Sequence, residues 1–360
     1  MGEVTMADRP AWLIYGANGY SGRLVAAEAR RQGLRPALAG RRAGPIETLA
    51  AELSLPARVF DLGDTRAAAA ALADMVVVAH CAGPFSATSA QMIDACLMSR
   101  THYLDITGEL DVFVAAQRRH ADAQVAGIVI CPGVGFDVIP TDCLAAVLKE
   151  ALPDATHLVL AFDAHSHMSP GTARTMAESF RLGRRGGRVR RNGMIEDVPI
   201  AHSRRLIDFA GGSAMTVATA WGDLATAYVS TGIPNIETYA SMPLAAAIAS
   251  RALNWARPLL ASVPVQELLR WLADRSTGPS EEELRTGRSR FWGEVRNAAG
   301  EHRTARLEAA NGYRLTAEGT IMAVKFLLEH APDGGYYTPS MLMGARCVEQ
   351  LSGSTPIRVG

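Results

Sequence analysis

Lysine is almost missing from these 360 residues: Lys149 and Lys325 are the only two. The positive charge is therefore nearly all arginine, and chemistry that needs a lysine amine has two candidates. Net charge is missing too, since 36 Lys+Arg balance 36 Asp+Glu. Without clustered positive charge, a nucleic-acid or polyanion partner is not expected. Cysteine is sparse and odd in number, at positions 81, 96, 131, 143 and 347, with no CxxC pair. That pattern points away from a zinc site or a disulfide framework and toward a reducing compartment. His165, His167 and His202 have no metal-ligand spacing with a carboxylate on a helix, so no metal is expected. The N-terminus lacks the basic start and apolar core of a secretory signal, which leaves a cytoplasmic location as the expectation.

An uninterrupted bilayer span is lacking as well. The most apolar stretch, 242–273, is broken by Arg251, Asn254, Arg257 and Pro258, whereas a span needs roughly 20 consecutive apolar residues. A buried helix or substrate-pocket lid is one reading of it. Peripheral contact with a membrane surface is the other.

What is present is the composition of an ordinary globular chain, 48% hydrophobic and 20% charged. At this length two domains are the default. From residue 11 to about 140, short apolar runs alternate with alanine-rich helical stretches, the rhythm of a parallel sheet covered on both faces. Strands are predicted at 12–15, 37–39, 58–61, 75–79, 102–105 and 127–131. Helices are predicted at 21–32, 45–53, 65–73, 89–97 and 117–124. Beyond residue 154 several strands alternate polar and apolar residues (156–163, 188–191, 204–209, 290–297, 302–311), which suits a sheet with one solvated face. The basic stretch 183–191 reads as a solvated hairpin. Residues 337–351 read as a helix returning to the first domain. The expectation is a Rossmann-type, doubly wound α/β domain from residues 1–150 plus 335–360, with an inserted α+β domain, 151–334, for substrate binding or dimerisation. A homodimer is the base-rate assembly.

The strongest chemical signal is Gly16-Ala17-Asn18-Gly19-Tyr20-Ser21-Gly22, placed after the first strand and opening a helix. Gly16 permits a tight turn, Gly19 lets the backbone approach a pyrophosphate, and Gly22 lets helix and strand pack closely. The helix N-terminus adds free N–H groups and a favourable dipole. After the second strand, where an NAD site carries an acid, stand Arg41 and Arg42. Guanidinium suits a 2′-phosphate, so NADP(H) is expected over NAD. The loop Cys81-Ala82-Gly83-Pro84-Phe85 ends the fourth strand at the rim where open α/β sheets bind ligands. The segments from Tyr103 to Glu109 and from Cys131 to Asp142 end strands at the same rim.

A reductase needs a group to deliver or orient a proton. No tyrosine here has lysine four residues later, which excludes a Tyr-x-x-x-Lys pair. Tyr103, Cys131 and Asp137 are the catalytic candidates by position, with His80 and Thr107 beside them. Asp142 reads as a cap of the helix that follows it. Arg174 could meet a substrate anion or simply face solvent.

Together GANGYSG, AGRR, CAGPF, YLDITGE and PGVGFDVIPTD resemble the saccharopine dehydrogenase-like NADP-binding proteins, a group that includes bacterial trans-acting enoyl reductases. SPGTARTMAESF, STGIPNIETYASM and GGYYTPSMLMGARCVEQL carry the resemblance through nearly the whole chain. It implies an NADP-binding Rossmann domain, completed by the C-terminal helix, with an inserted α+β domain. Implied activities are hydride transfer to a hydrophobic enoyl or acyl substrate, or saccharopine-type imine and amino-acid chemistry. No evident cluster of arginine and lysine awaits a di- or tricarboxylate. Cysteine-based reduction of a phosphorylated carboxylate is a further option, in a different loop context around Cys131. A non-catalytic NADP-binding, membrane-surface protein is the reading of another class.

Overall fold

The computed structural model describes residues 11–164, 166–173, 187–209, 211–243, 246 and 262–360. It divides into two compact units. The first comprises residues 11–107, 114–135 and 316–337, and the second comprises 108–113 together with the described parts of 136–315 and 338–360. This division falls at 135/136, earlier than the expected boundary at 150.

The first unit is built on a parallel sheet. Its strands are β1 (Trp12–Tyr15), β2 (Ala37–Gly40), β3 (Ala57–Val59), β4 (Val77–His80), β5 (His102–Asp105) and β6 (Val129–Cys131). In space they run β6-β5-β4-β1-β2-β3, the doubly wound order whose reversal point lies between β1 and β4. Leu13 pairs with Ala37 on one side and Val78 on the other. β1, β2 and β4 are buried along their whole length, which explains why they are continuous apolar runs rather than alternating ones. The helices between them are α1 (Tyr20–Arg31), α2 (Ala43–Leu53), α3 (Thr65–Leu72), α4 (Phe85–Ser99), α5 (Leu110–Gln117) and α6 (His120–Ala126). α1 stops at Gly33, whose φ of +77° allows the chain to turn while the Leu34 N–H donates to the Ala29 carbonyl at 2.9 Å. α3 starts under the Asp64 carboxylate, which accepts from the Ala67 N–H. The single helix predicted at 117–124 is instead two, α5 and α6, with Arg119 between them paired to Asp94 and Asp122.

The second unit has α7 (Ile139–Ala151), α8 (Asp223–Thr231), α9 (Val263–Asp274) and α10 (Glu281–Thr286) around a mixed sheet. Its strands are β7 (His157–Ala164), β8 (Gly187–Arg191), β9 (Met194–Val198), β10 (Arg204–Phe209), β11 (Gly212–Ala218), β12 (Asn235–Ser241), β13 (Arg288–Arg296) and β14 (His302–Ala310). β12 pairs with β7 in parallel, and β7 pairs with β13 in antiparallel fashion. Gly293 leaves the room that α7 occupies: a Cβ there would lie 2.7 Å from Leu148 Cδ1. The opposite face carries a core of Ala161, Ile207, Phe209, Ala218, Tyr239 and Trp292. The hairpin expected at 183–191 is described from β8 onward. Asn192 and Gly193, both at positive φ, turn it into β9.

An 18-residue helix, α11 (Gly312–Glu329), occupies a stretch for which the periodicity predicts no element. Leu315, Ile321, Ala323, Val324 and Leu327 are all buried, and two glycines blur its apolar stripe. It leads to β15 (Gly335–Tyr336), which adds to β6 in parallel. The long helix predicted at 337–351 is a correction: only α12 (Pro339–Met343) and a short 3-10 turn (Cys347–Gln350) form, and both fall in the second unit. The chain ends in β16 (Arg358–Val359), paired with β14. Of the apolar stretch 242–273, α9 is the main described part, and most of the remainder lies outside the described residues, as do Arg174 and His165. Among the described residues no helix is long and apolar enough to cross a membrane.

Candidate functional site

The glycine turn folds as its spacing predicts. Gly16 has φ +79°, and its N–H donates to the Ala39 carbonyl at 2.8 Å, while the Gly19 N–H donates back to the Gly16 carbonyl at 3.0 Å. A Cβ on Gly16 would sit 2.8 Å from the Ala82 backbone nitrogen, and one on Gly22 would sit 2.3 Å from the Gly16 oxygen. The turn and the 81–85 loop therefore touch, backbone against backbone, and only glycine at 16 permits it. No side chain caps α1 and no acid lies in its first turn. A helix N-terminus of this kind suits an anionic ligand. Asn18 sits at the same rim: a Cβ on Gly40 would lie 3.5 Å from Asn18 Oδ1. Tyr20 and Ser21 form the first turn of α1.

Arg41 and Arg42 are exposed at the end of β2. Tyr15, whose hydroxyl donates to the Phe60 carbonyl, has its pKa pushed up to about 12 by burial, with Asp61 raising it further and Arg41 opposing. Asp61 thus shares this corner with Arg41, a residue that spacing did not single out. Its position after β3, at the carboxyl edge of the sheet, is the signal that could have found it.

The 81–85 loop is anchored from α4. Thr88 Oγ1 donates toward the Ala82 carbonyl at 2.8 Å and the Pro84 carbonyl at 3.2 Å, and lies 2.9 Å from His80 Nε2. His80 is fully buried, and burial depresses its pKa to about 3. It is therefore held as a neutral group at physiological pH. Cys81 and Ala82 are half-buried, Gly83 is exposed, and Phe85 packs its ring edge-on to His80. Burial pushes the Cys81 thiol up to about 12.

Two of the three catalytic candidates are fully buried. Tyr103 is fully buried and its hydroxyl donates to Asp105 Oδ2 at 2.6 Å, while burial raises its pKa well above the usual phenol value. Asp105 Oδ1 accepts from the N–H groups of Thr107 at 3.0 Å and Gly133 at 2.9 Å. Tyr103 and Asp105 tie the ends of β5 and β6 together, and that tie occupies the Tyr103 hydroxyl. Thr107, also buried, belongs to the same tie. Cys131, the last residue of β6, is fully buried. In the second unit Asp137 is half-buried, and burial raises its carboxyl from 3.8 to about 7. Its carboxylate packs on Gly108, where a Cβ would come within 2.9 Å of it, and its carbonyl accepts from Trp221 Nε1 at 2.8 Å. Asp142 does not cap its own helix, as expected of it. Its Oδ2 accepts from the Ser340 N–H at 2.8 Å, in the first turn of α12. Among the described residues no cluster of His, Cys, Asp and Glu is fit to hold a metal ion.

A doubly wound sheet, a glycine turn sealed against a second loop and an uncapped helix N-terminus are together the arrangement of a dinucleotide-binding unit. Residues 12–131 match the family described as the saccharopine dehydrogenase NADP binding domain, so this part of the chain is an NADP-binding domain of that type. The trans-acting enoyl reductase of Mycobacterium tuberculosis is 29% identical over 185 residues, covering 47% of this chain and 44% of that protein. Its counterpart in Mycobacterium leprae is 31% identical over 139 residues, covering 36% and 33%. The match thus spans less than half the length of these relatives. Saccharopine dehydrogenase (L-Glu forming) of Saccharomyces cerevisiae shares the fold, with a TM-score of 0.63 at 13% identity over 97% of this chain and 99% of that one. Homospermidine synthase of Legionella pneumophila gives 0.62 at 9% identity, over 97% and 91%.

Proposed function

We propose that the chain is an NADPH-dependent oxidoreductase that reduces a hydrophobic enoyl or acyl substrate. The observation that carries the reading is the seal between Gly16 and Ala82 beside an uncapped α1. The relatives named as trans-acting enoyl reductases support the substrate class. When bound, NADPH supplies the hydride. Gly16, Asn18, Gly19, Tyr20, Ser21 and Gly22 hold the pyrophosphate through backbone N–H groups and the α1 dipole. Arg41 and Arg42 take the 2′-phosphate, and residues 81–85 border the nicotinamide end, across the β1/β4 reversal from Arg41. Asp137, whose carboxyl burial raises to about 7, remains the proton-donor candidate, because a donor works best with a pKa near the operating pH. The second unit serves as the substrate domain.

The test is titration of NADPH and NADH into wild type and Arg41→Ala, followed by assay of NADPH loss with enoyl thioesters. Removing a charge-assisted bond of about 1.5–3 kcal/mol should weaken NADPH by about tenfold or more and leave NADH unchanged. Failure of wild type to bind either nucleotide would sink the proposal. Binding without turnover of any enoyl thioester would sink the substrate class alone.

A further inference from the structure

Thr88 has three polar neighbours and one proton to give. Two of the neighbours, the Ala82 and Pro84 carbonyls, can only accept. The hydroxyl proton therefore belongs to them, and His80 must present Nε2–H to the Thr88 oxygen at 2.9 Å. That assignment fixes the His80 tautomer and leaves Nδ1 as a buried acceptor with no partner among the described residues. The rings of Tyr15, Phe85 and Tyr103, with centroids 5.6, 5.4 and 6.2 Å from that of His80, enclose it. Burial keeps the imidazole neutral, so the tautomer persists across the physiological range.

The pair draws two consecutive-but-one carbonyls of the loop toward the first turn of α4. Ala82 is also the residue whose N, Cα and Cβ fill the space beside Gly16. The tether and the seal thus act on the same peptide. A loop released from Thr88 would lose the direction that presses Ala82 onto the glycine turn. Because β4 lies on the opposite side of β1 from β2 and Arg41, such a shift would be felt by the half of the dinucleotide remote from its 2′-phosphate.

We propose that the His80–Thr88 hydrogen-bond pair is a positioning device that holds the 81–84 loop against the Gly16 turn so that the site admits the nicotinamide half of NADP(H). The inference rests on the reading of the first unit as an NADP(H) site, and its test separates the two. NADPH and adenosine 2′,5′-bisphosphate, which has the phosphorylated adenosine but no nicotinamide, are titrated into wild type, Thr88→Val, Thr88→Ala and Thr88→Ser. The alanine variant removes the hydroxyl without adding a methyl, should valine disturb α4. Loss of the hydroxyl should weaken NADPH about tenfold, the scale of one hydrogen bond near 1.4 kcal/mol, with the bisphosphate unchanged. Serine, which keeps the hydroxyl, should restore NADPH binding. Equal weakening of both ligands, or of neither, would overturn the positioning role. Wild type that binds the bisphosphate but not NADPH would also overturn it, and wild type that binds neither would take the cofactor reading down with it.

Discussion

At the scale of single residues, the three glycines of the turn are not equivalent. Gly16 combines a φ of +79° with backbone of Ala82 where a Cβ would go. Gly22 has no room beside the Gly16 oxygen. Gly19 sits at φ −74°, a conformation open to any residue, and its nearest obstacle is 3.2 Å away. Gly16→Ala should therefore cost about 1–3 kcal/mol of stability, read as a lower urea midpoint, and should abolish NADPH binding. Gly19→Ala should fold nearly as well as wild type. Equal destabilisation by both would mean that the turn does not have the described geometry. The glycine turn was legible because its meaning lies in chain order: strand, turn, helix. Tyr103 was not. A tyrosine at a strand end suggests a proton donor, whereas in the fold its hydroxyl donates to Asp105, two residues on in the same strand, which also holds the Gly133 N–H beyond β6.

Among elements, the packing of α7 on α8 buries two carboxyls that spacing did not reveal. Asp142 lies in the first turn of α7 and Asp223 in the first turn of α8, both fully buried. Each has an Oδ1 without a partner among the described residues, as has Thr226 Oγ1 one turn after Asp223. Burial raises both carboxyls, and for Asp223 the neighbouring Asp142 and Asp137 raise it further. A carboxyl whose folded pKa lies above its unfolded value binds protons on folding. Its stabilising contribution is complete below the ordinary carboxylate range and is lost as pH rises through the folded value. The urea midpoint should therefore fall as pH is raised from the ordinary carboxylate range toward neutrality and beyond. Asp223→Asn, which mimics the protonated form, should flatten that slope. An unchanged slope in the variant would show that Asp223 is ionised in the folded state. The same pairing explains why α12 begins where it does: Thr338 caps it, and Asp142 reaches its Ser340 N–H from α7.

For the molecule as a whole, two compact units imply that a ligand of the first should stabilise that unit first. At a hundredfold excess over Kd, a ligand adds about 2.7 kcal/mol to the state it binds. Hydrogen exchange with NADPH should thus slow the amides of β1, β4 and the 81–88 segment most strongly. Protection confined to the second unit would contradict the assignment of the site. The parallel α/β unit from β1 to β6 and the glycine turn that opens α1 were legible in the sequence, because they depend on periodicity and on contacts between near neighbours in the chain. The tertiary structure alone decided what lies far apart in sequence: α11 and β15 returning from residues 316–337 to complete the first unit, Thr88 and Ala82 sealing Gly16, and Asp142 serving α12 from 198 positions away. Such pairings follow from which buried polar group can reach a partner once the core has closed, and no local pattern records that outcome.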